Sequence, residues 1–185
     1  MKTGKFAQLR LPVAARGKQR YIDIIRSAAE GGLEMRAVTV ERVGMDVEGD
    51  NAVVLLRDTE SKKVLPIWIG MVEATAIALK LQQQEPPRPL TVDLLKTVLD
   101  SVDAKVLMVV VNDMRDRTYF ARIFVRANTN GSTTLELDAR PSDSIGLALR
   151  TGAPIYVADW IFDEAGVDAV IEDVDPSEDE ETKQH

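Results

Sequence analysis

The run LDARPSDSIGLALRTGAPIYV, Leu137 to Val157, decides how the chain is read, because a strand end, a whole helix and a second strand are punctuated inside it. Pro141 can occupy the first helical position, where a missing N–H costs nothing. Asp143 then falls at the third position, beside the positive end of the helix dipole, a placement worth about 0.3–1 kcal/mol. Gly152 predicts a left-handed cap, and Pro154 stops any continuation. The spacing therefore predicts a helix from Pro141 to Arg150, followed by a last short strand from Ile155 to Ala158.

Upstream, Ala37–Val47 and Asn51–Arg57 are β-rich runs that meet at Glu48–Asn51, where Gly49 and Asp50 supply turn chemistry. That pattern predicts a hairpin. A strand from Val64 to Ile69 and a helix from Gly70 to about Gln83 follow, the helix with Val72, Ala76, Leu79 and Gln83 on one side. After the proline-rich break QQQEPPRPL, Thr91 is expected to cap a helix that turns Leu94, Leu95, Val98 and Leu99 inward. Strands return at Lys105–Val111, Tyr119–Arg126 and Thr133–Asp138.

The two halves match at an offset of seventy: Asp46 falls on Asp116, Val54 on Phe124, Leu65 on Leu135, Glu73 on Asp143, Ile77 on Leu147 and Lys80 on Arg150. Each half reads hairpin, third strand, helix. The expected class is α+β, with duplicated β3-α units and mostly antiparallel sheets packed around helices. Turns this short suit hairpins and disfavour a doubly wound parallel sheet.

Composition sets the outer limits. The 185 residues are 45% apolar and 29% charged, enough for one domain with a full core. There is no cysteine, which excludes a disulfide scaffold, a thiolate nucleophile and Cys-ligated zinc. The longest apolar run, Val106 to Val111, is strand-sized, so no membrane span is expected, and Met1–Arg20 lacks the apolar core of a secretory signal. The expected location is the cytoplasm.

Charge is unevenly spread around a net −7. Residues 1–34 hold seven Lys/Arg against three Asp/Glu, whereas Asp163 to His185 holds ten acids and one lysine. Residues 1–34 read as a basic arm whose segment Lys18 to Glu30 places Tyr21, Ile24, Ile25 and Ala28 at helical spacing, ended by Gly31-Gly32. A start at Met35, with the arm as an addition, is an alternative reading. Residues 35–170 are the expected domain, and 171–185 an acidic tail expected to be disordered. An acidic chain binds nucleic acid poorly by counterion release alone, so a polyanion would need a local basic patch or a bound metal.

Taken with LPIWIG (Leu65–Gly70), Glu73-Ala74 and RPLTVDLL (Arg88–Leu95), the run DARPSDSIGLALR resembles the bifunctional nuclease domain family. The likeness covers about Met35 to Gly166. It implies an α+β domain that forms homodimers and takes RNA and DNA as substrates. It carries over no defined mechanism. The family commonly has a histidine where this chain has Val92.

The chemistry left to such a chain is narrow. His185, the one histidine, ends the tail, so an imidazole-pair mechanism has no partners. Carboxylates would need Mg²⁺ or Mn²⁺ to act on a phosphodiester. Asp138 at a strand end and Asp143 in the next helical turn are the candidate metal ligands. Glu73 joins them as a catalytic candidate through the seventy-residue offset, and Arg140 as a planar fork for phosphate. Each also has a structural reading: Glu73, Asp93 and Asp143 as helix-start acids, Arg140 as a partner for Asp138 or Asp143, and Trp68 and Trp160 as core or dimer-contact residues. No phosphate-cradling glycine loop and no nucleophile elbow occurs. The alternative function is a non-catalytic dimeric regulatory or scaffold domain that binds a protein partner.

Overall fold

Every second residue of β2 (Ala52–Asp58) is buried, Ala52, Val54, Leu56 and Asp58 in turn, and β5 (Thr118–Ala127) repeats the pattern at Ala121, Ile123 and Val125. Successive strand side chains point to opposite faces, so these residues mark one dry face of a sheet. The sheet is seen in a computed structural model that describes residues 34–45, 51–127 and 133–168. The expected arm helix, the Gly49-Asp50 turn and the acidic tail lie outside the described residues.

The remaining strands are β1 (Met35–Met45), β3 (Lys63–Ile69), β4 (Ala104–Arg115), β6 (Thr133–Ala139), β7 (Ile155–Ala158) and β8 (Val167–Asp168). The helices are α1 (Met71–Leu81), α2 (Thr91–Ser101), α3 (Pro141–Thr151) and α4 (Asp159–Ala165). All eight strands form one sheet in the order β6-β5-β4-β7-β1-β2-β3-β8. Every pairing is antiparallel except β4 with β7, where Val109, Val110 and Val111 lie opposite Ile155, Tyr156 and Val157. The fold is α+β, as the sequence predicts. Two meanders, β1-β2-β3 and β4-β5-β6, each lead into a helix.

Several details depart from expectation, each for a local reason. There is one sheet and not several, because β7 lies between the meanders and pairs with both β4 and β1. The strand from Ile155 to Ala158 is therefore central and not the last: α4 and β8 follow it. Thr91 is not a cap. Leu90 holds that position, and the Asp93 carboxylate accepts the Leu90 N–H at 2.8 Å, the acid half of a capping box. Leu94, Leu95 and Val98 do not turn inward but are 58%, 41% and 50% exposed, while Leu99 and Val92 pack on the core. On α1, Ala74 and Ile77 are the buried residues, whereas Val72 is 81% exposed. Trp68 and Trp160 are not core residues either; both reach solvent.

The core joins the dry face to the helix layer through Ile77, Ile145, Leu147, Ala148, Ile161 and Phe162. α3 closes at Gly152, whose φ of 70° is the left-handed conformation that glycine adopts without strain. Six strand spacings separate β6 from β3, about 29 Å in a flat sheet. Residues that follow these two strands nevertheless touch, as described below, so the sheet curls around the helices. Among the described residues no helix is long and apolar enough to cross a membrane.

One corner of this frame is polar. Asp58, 3% exposed, accepts bonds from the Ser61 hydroxyl at 2.6 Å, the Glu60 N–H at 3.0 Å and Arg36 at 3.3 Å. Arg36 also bonds Asp159 and stacks 5.4 Å from the Phe162 ring centre, which ties β1 and β2 to α4. Burial pushes the Asp58 carboxyl upward, but the Ser61, Glu60 and Arg36 hydrogen bonds outweigh it and hold the group below its ordinary pKa. A carboxyl depressed on folding stabilises above its unfolded pKa of about 3.9, and that contribution is lost as pH falls through the folded value. Asp58→Asn is therefore expected to lower stability by about 2 kcal/mol at neutral pH. In denaturant titrations the gap to the parent should close below about pH 4.

Candidate functional site

β6 ends at Ala139, and Arg140 follows in extended backbone (φ −72°, ψ 149°) as the residue that caps α3. This geometry places its guanidinium across the start of the helix. Nε and Nη2 donate to the two Asp143 carboxylate oxygens at 2.8 and 3.1 Å. Nη2 also lies 2.9 Å from Glu73 Oε1, on the first turn of α1. One arginine thus joins the starts of two helices. Its side chain is 66% exposed, against 44% for Asp143 and 23% for Glu73. The Asp143 hydrogen bonds and charge, with Glu73 adding to them, push the already high Arg140 pKa higher, so the guanidinium is always charged.

Glu73 reaches this position by folding over Gly70. A β-carbon at Gly70 would fall well inside contact distance of Glu73 Oε2. The glycine here leaves room for the carboxylate, not for an unusual backbone angle, since φ is −70°.

A second guanidinium lies one turn deeper. The Arg150 side chain, 4% exposed, donates to Gly146 O at 3.1 Å and Ala76 O at 3.2 Å and pairs with Asp93 on α2. Arg140 links Glu73 to Asp143 and Arg150 links Ala76 to Gly146, so α1 and α3 run side by side, with positions seventy apart facing each other at both levels. Burial pushes the Asp93 carboxyl up, yet bonds from Arg150 and the Leu90 N–H prevail and keep it below the usual carboxylate range. Val92 Cγ2 is 3.6 Å from where a Gly146 β-carbon would stand. The position at which the family resemblance leads one to expect histidine is thus a packing contact between α2 and α3.

The structure brings Glu73, Arg140 and Asp143 together and leaves Asp138 apart. Asp138 lies opposite Arg122 on β5, whereas the next residue, Ala139, lies opposite Ala121 on the dry face. Asp138 consequently projects from the outer face, 69% exposed, with Oδ1 2.7 Å from Arg122 Nη1. Glu136 shares that arginine at 3.4 Å. Among the described residues no three Asp, Glu, His or Cys side chains gather in a metal-binding group. Sequence reasoning assigned no role to Arg122 or Arg150. Arg122 alternates with the apolar residues Ala121 and Ile123, which marks the opposite face, and Arg150 ends an apolar helix as its single cation.

An α+β domain with one curled sheet, whose two meanders deliver helix-start acids to a shared arginine, is the class that the geometry defines. A family model described as the bifunctional nuclease domain matches residues 54–170, and the chain belongs to that family. An uncharacterized protein of Mycobacterium tuberculosis is 40% identical over 130 residues, 69% of this chain and 76% of that protein. Bifunctional nuclease 1 of Oryza sativa subsp. japonica is 28% identical over 107 residues, 58% of this chain and 32% of that protein. Bifunctional nuclease 1 of Arabidopsis thaliana is 27% identical over 110 residues, 60% and 34% of the respective lengths. The chain thus aligns with about a third of each of these plant proteins.

Gly70→Ala tests the placement of Glu73. The added methyl meets the flexible end of a side chain and not backbone, so the melting temperature should move by less than that of a ~1 kcal/mol change. The Glu73–Arg140 contact should be lost, read as a displaced Glu73 carboxylate in a crystal structure of the variant. A carboxylate still seated on Arg140 would contradict the account.

Proposed function

We propose that this protein is a nuclease that hydrolyses phosphodiester bonds of RNA and DNA, with Arg140, Glu73 and Asp143 nearest the chemistry. One observation carries the reading: a largely exposed guanidinium held at the meeting point of two helix starts. Helix N-termini favour anions, and the planar fork of arginine matches two phosphate oxygens. Exposed ion pairs add only about 0.2–1 kcal/mol to a fold, which makes this cluster a weak clamp and a reasonable phosphate receptor. Family membership and the names of the plant relatives support the same reading.

In this proposal Arg140 binds and orients the phosphate, and Glu73, the less exposed acid, accepts a proton from the attacking water. Mg²⁺ or Mn²⁺ is the proposed cofactor. Asp138 and Asp143 do not suit it as a pair, since each is engaged by a different arginine. Glu73 and Asp143 converge on the Arg140 guanidinium, so an ion that takes one or two protein carboxylates and keeps several waters would hold them only once Arg140 has turned to the phosphate. Such an ion, when bound, supplies positive charge to the phosphoryl oxygens and a more acidic water. Asp138 is therefore left out of the reacting group and the metal site.

We also place the protein in the cytoplasm, in keeping with its lack of cysteine, and as a homodimer. The exposed Leu94 and Val98 of α2, with Val102 just past its end, supply an apolar face for the contact. That same face favours the second reading, a dimeric scaffold or regulatory domain without catalysis. A metal-titrated cleavage assay on single- and double-stranded RNA and DNA separates the two. The nuclease reading expects cleavage that chelation abolishes and that Asp143→Asn lowers about a hundredfold. Cleavage of equal rate in parent and variant, or none with either metal, overturns it.

A further inference from the structure

Trp68, near the end of β3, is 62% exposed, while its neighbours Leu65 and Ile67 are the residues that this strand buries. Ile67 and Ile69 lie opposite Val54 and Ala52 on the dry face, so Trp68 between them projects from the outer face, opposite Val53. Gly70 follows with extended backbone (φ −70°, ψ 155°), and the alternation continues through it. A side chain at Gly70 would therefore point the same way as that of Trp68. The Glu73 carboxylate fills that place, since a β-carbon at Gly70 would meet its Oε2. Positions two apart on one strand face stand about 7 Å from each other. The indole and the Glu73–Arg140 pair are thus neighbours on one surface, with Arg140 Nη2 2.9 Å from Glu73 Oε1. Trp68 and Val72, itself 81% exposed, bracket the turn that carries β3 into α1.

We propose that Trp68 is a stacking platform for one unpaired nucleobase whose phosphate Arg140 receives, so that the site takes single-stranded nucleic acid. This deepens the nuclease reading and rests on it for the class of ligand. An aromatic face and a guanidinium within the span of one nucleotide match the two halves of that ligand, apolar base and anionic phosphate. In a duplex the bases cover one another, and only a single strand, a loop or a frayed end can offer a face to the indole. Stacking is tolerant of sequence, because every base has a π face, so the platform suits both RNA and DNA. Among the described residues β8 pairs with β3 only at Lys63 and Val64, so no strand walls the indole off.

Binding measured under chelation tests the platform apart from cleavage. Oligothymidine, alone and paired with oligoadenine, is titrated against the full-length chain. The chain has two tryptophans, so Trp160→Phe leaves Trp68 as the one indole, and its fluorescence should fall when the single strand binds. Trp68→Ala should weaken single-strand binding about tenfold and Trp68→Phe less than about threefold, with duplex binding changed less than about twofold in both. Equal single-strand affinity in parent and Trp68→Ala overturns the proposal, as does an equal loss on both substrates or no binding by the parent. So does a lower sedimentation mass for Trp68→Ala, which would make the indole a subunit contact. A parent that binds the single strand with quenching but cleaves with neither metal leaves the platform standing and removes the nuclease reading alone.

Discussion

A guanidinium removed from water must be ringed by acceptors, and Arg150 meets that demand by drawing three helices onto itself. Its partners are a carboxylate from α2, a carbonyl from α1 and a carbonyl from its own helix α3. Breaking such a buried pair typically costs about 3–5 kcal/mol, because the surviving charge is stranded. Arg150 thereby fixes the spacing of α1 and α3, and one turn above it the same spacing lets Arg140 reach both Glu73 and Asp143. The exposed cluster inherits its geometry from the buried one. Arg140 adds little to stability at the surface, so the arrangement of the site rests on groups below it.

The local pattern of α3 was legible in the chain almost residue by residue. Pro141 at the first turn, Asp143 at the third position and Gly152 in the left-handed cap each obey rules that need no tertiary partner. The α+β class and the hairpins follow from the same short-range signals. What could not be read is the choice between faces. α2 presents apolar residues at helical spacing, and periodicity identifies a stripe without saying whether anything lies against it; Leu94 and Val98 face outward because α2 meets α3 through Val92 and Asp93 in its first turn and turns Leu99 to the core. Asp138 is a similar case. Sequence places it five residues from Asp143, but strand parity sends it to the outer face, where Arg122 holds it.

The site was half legible for the same reason. Glu73 and Asp143 were paired by their offset of seventy, and the structure does place them on one arginine. The second arginine and its hold on two helix carbonyls leave no trace in spacing, since backbone acceptors have no letter in the sequence.

β7 joins the two meanders with only four residues, and its partner β1 begins the described chain; the Arg36–Asp159 contact beside that junction spans 123 residues. Hairpins close between near neighbours, so each meander can form quickly from local pairings. Loop-closure entropy is concentrated instead in one short central strand, which makes the union of the halves the topologically demanding step in folding. Among the described residues the pairing of the two halves thus turns on a tetrapeptide, Ile155–Ala158, that carries none of the proposed chemistry.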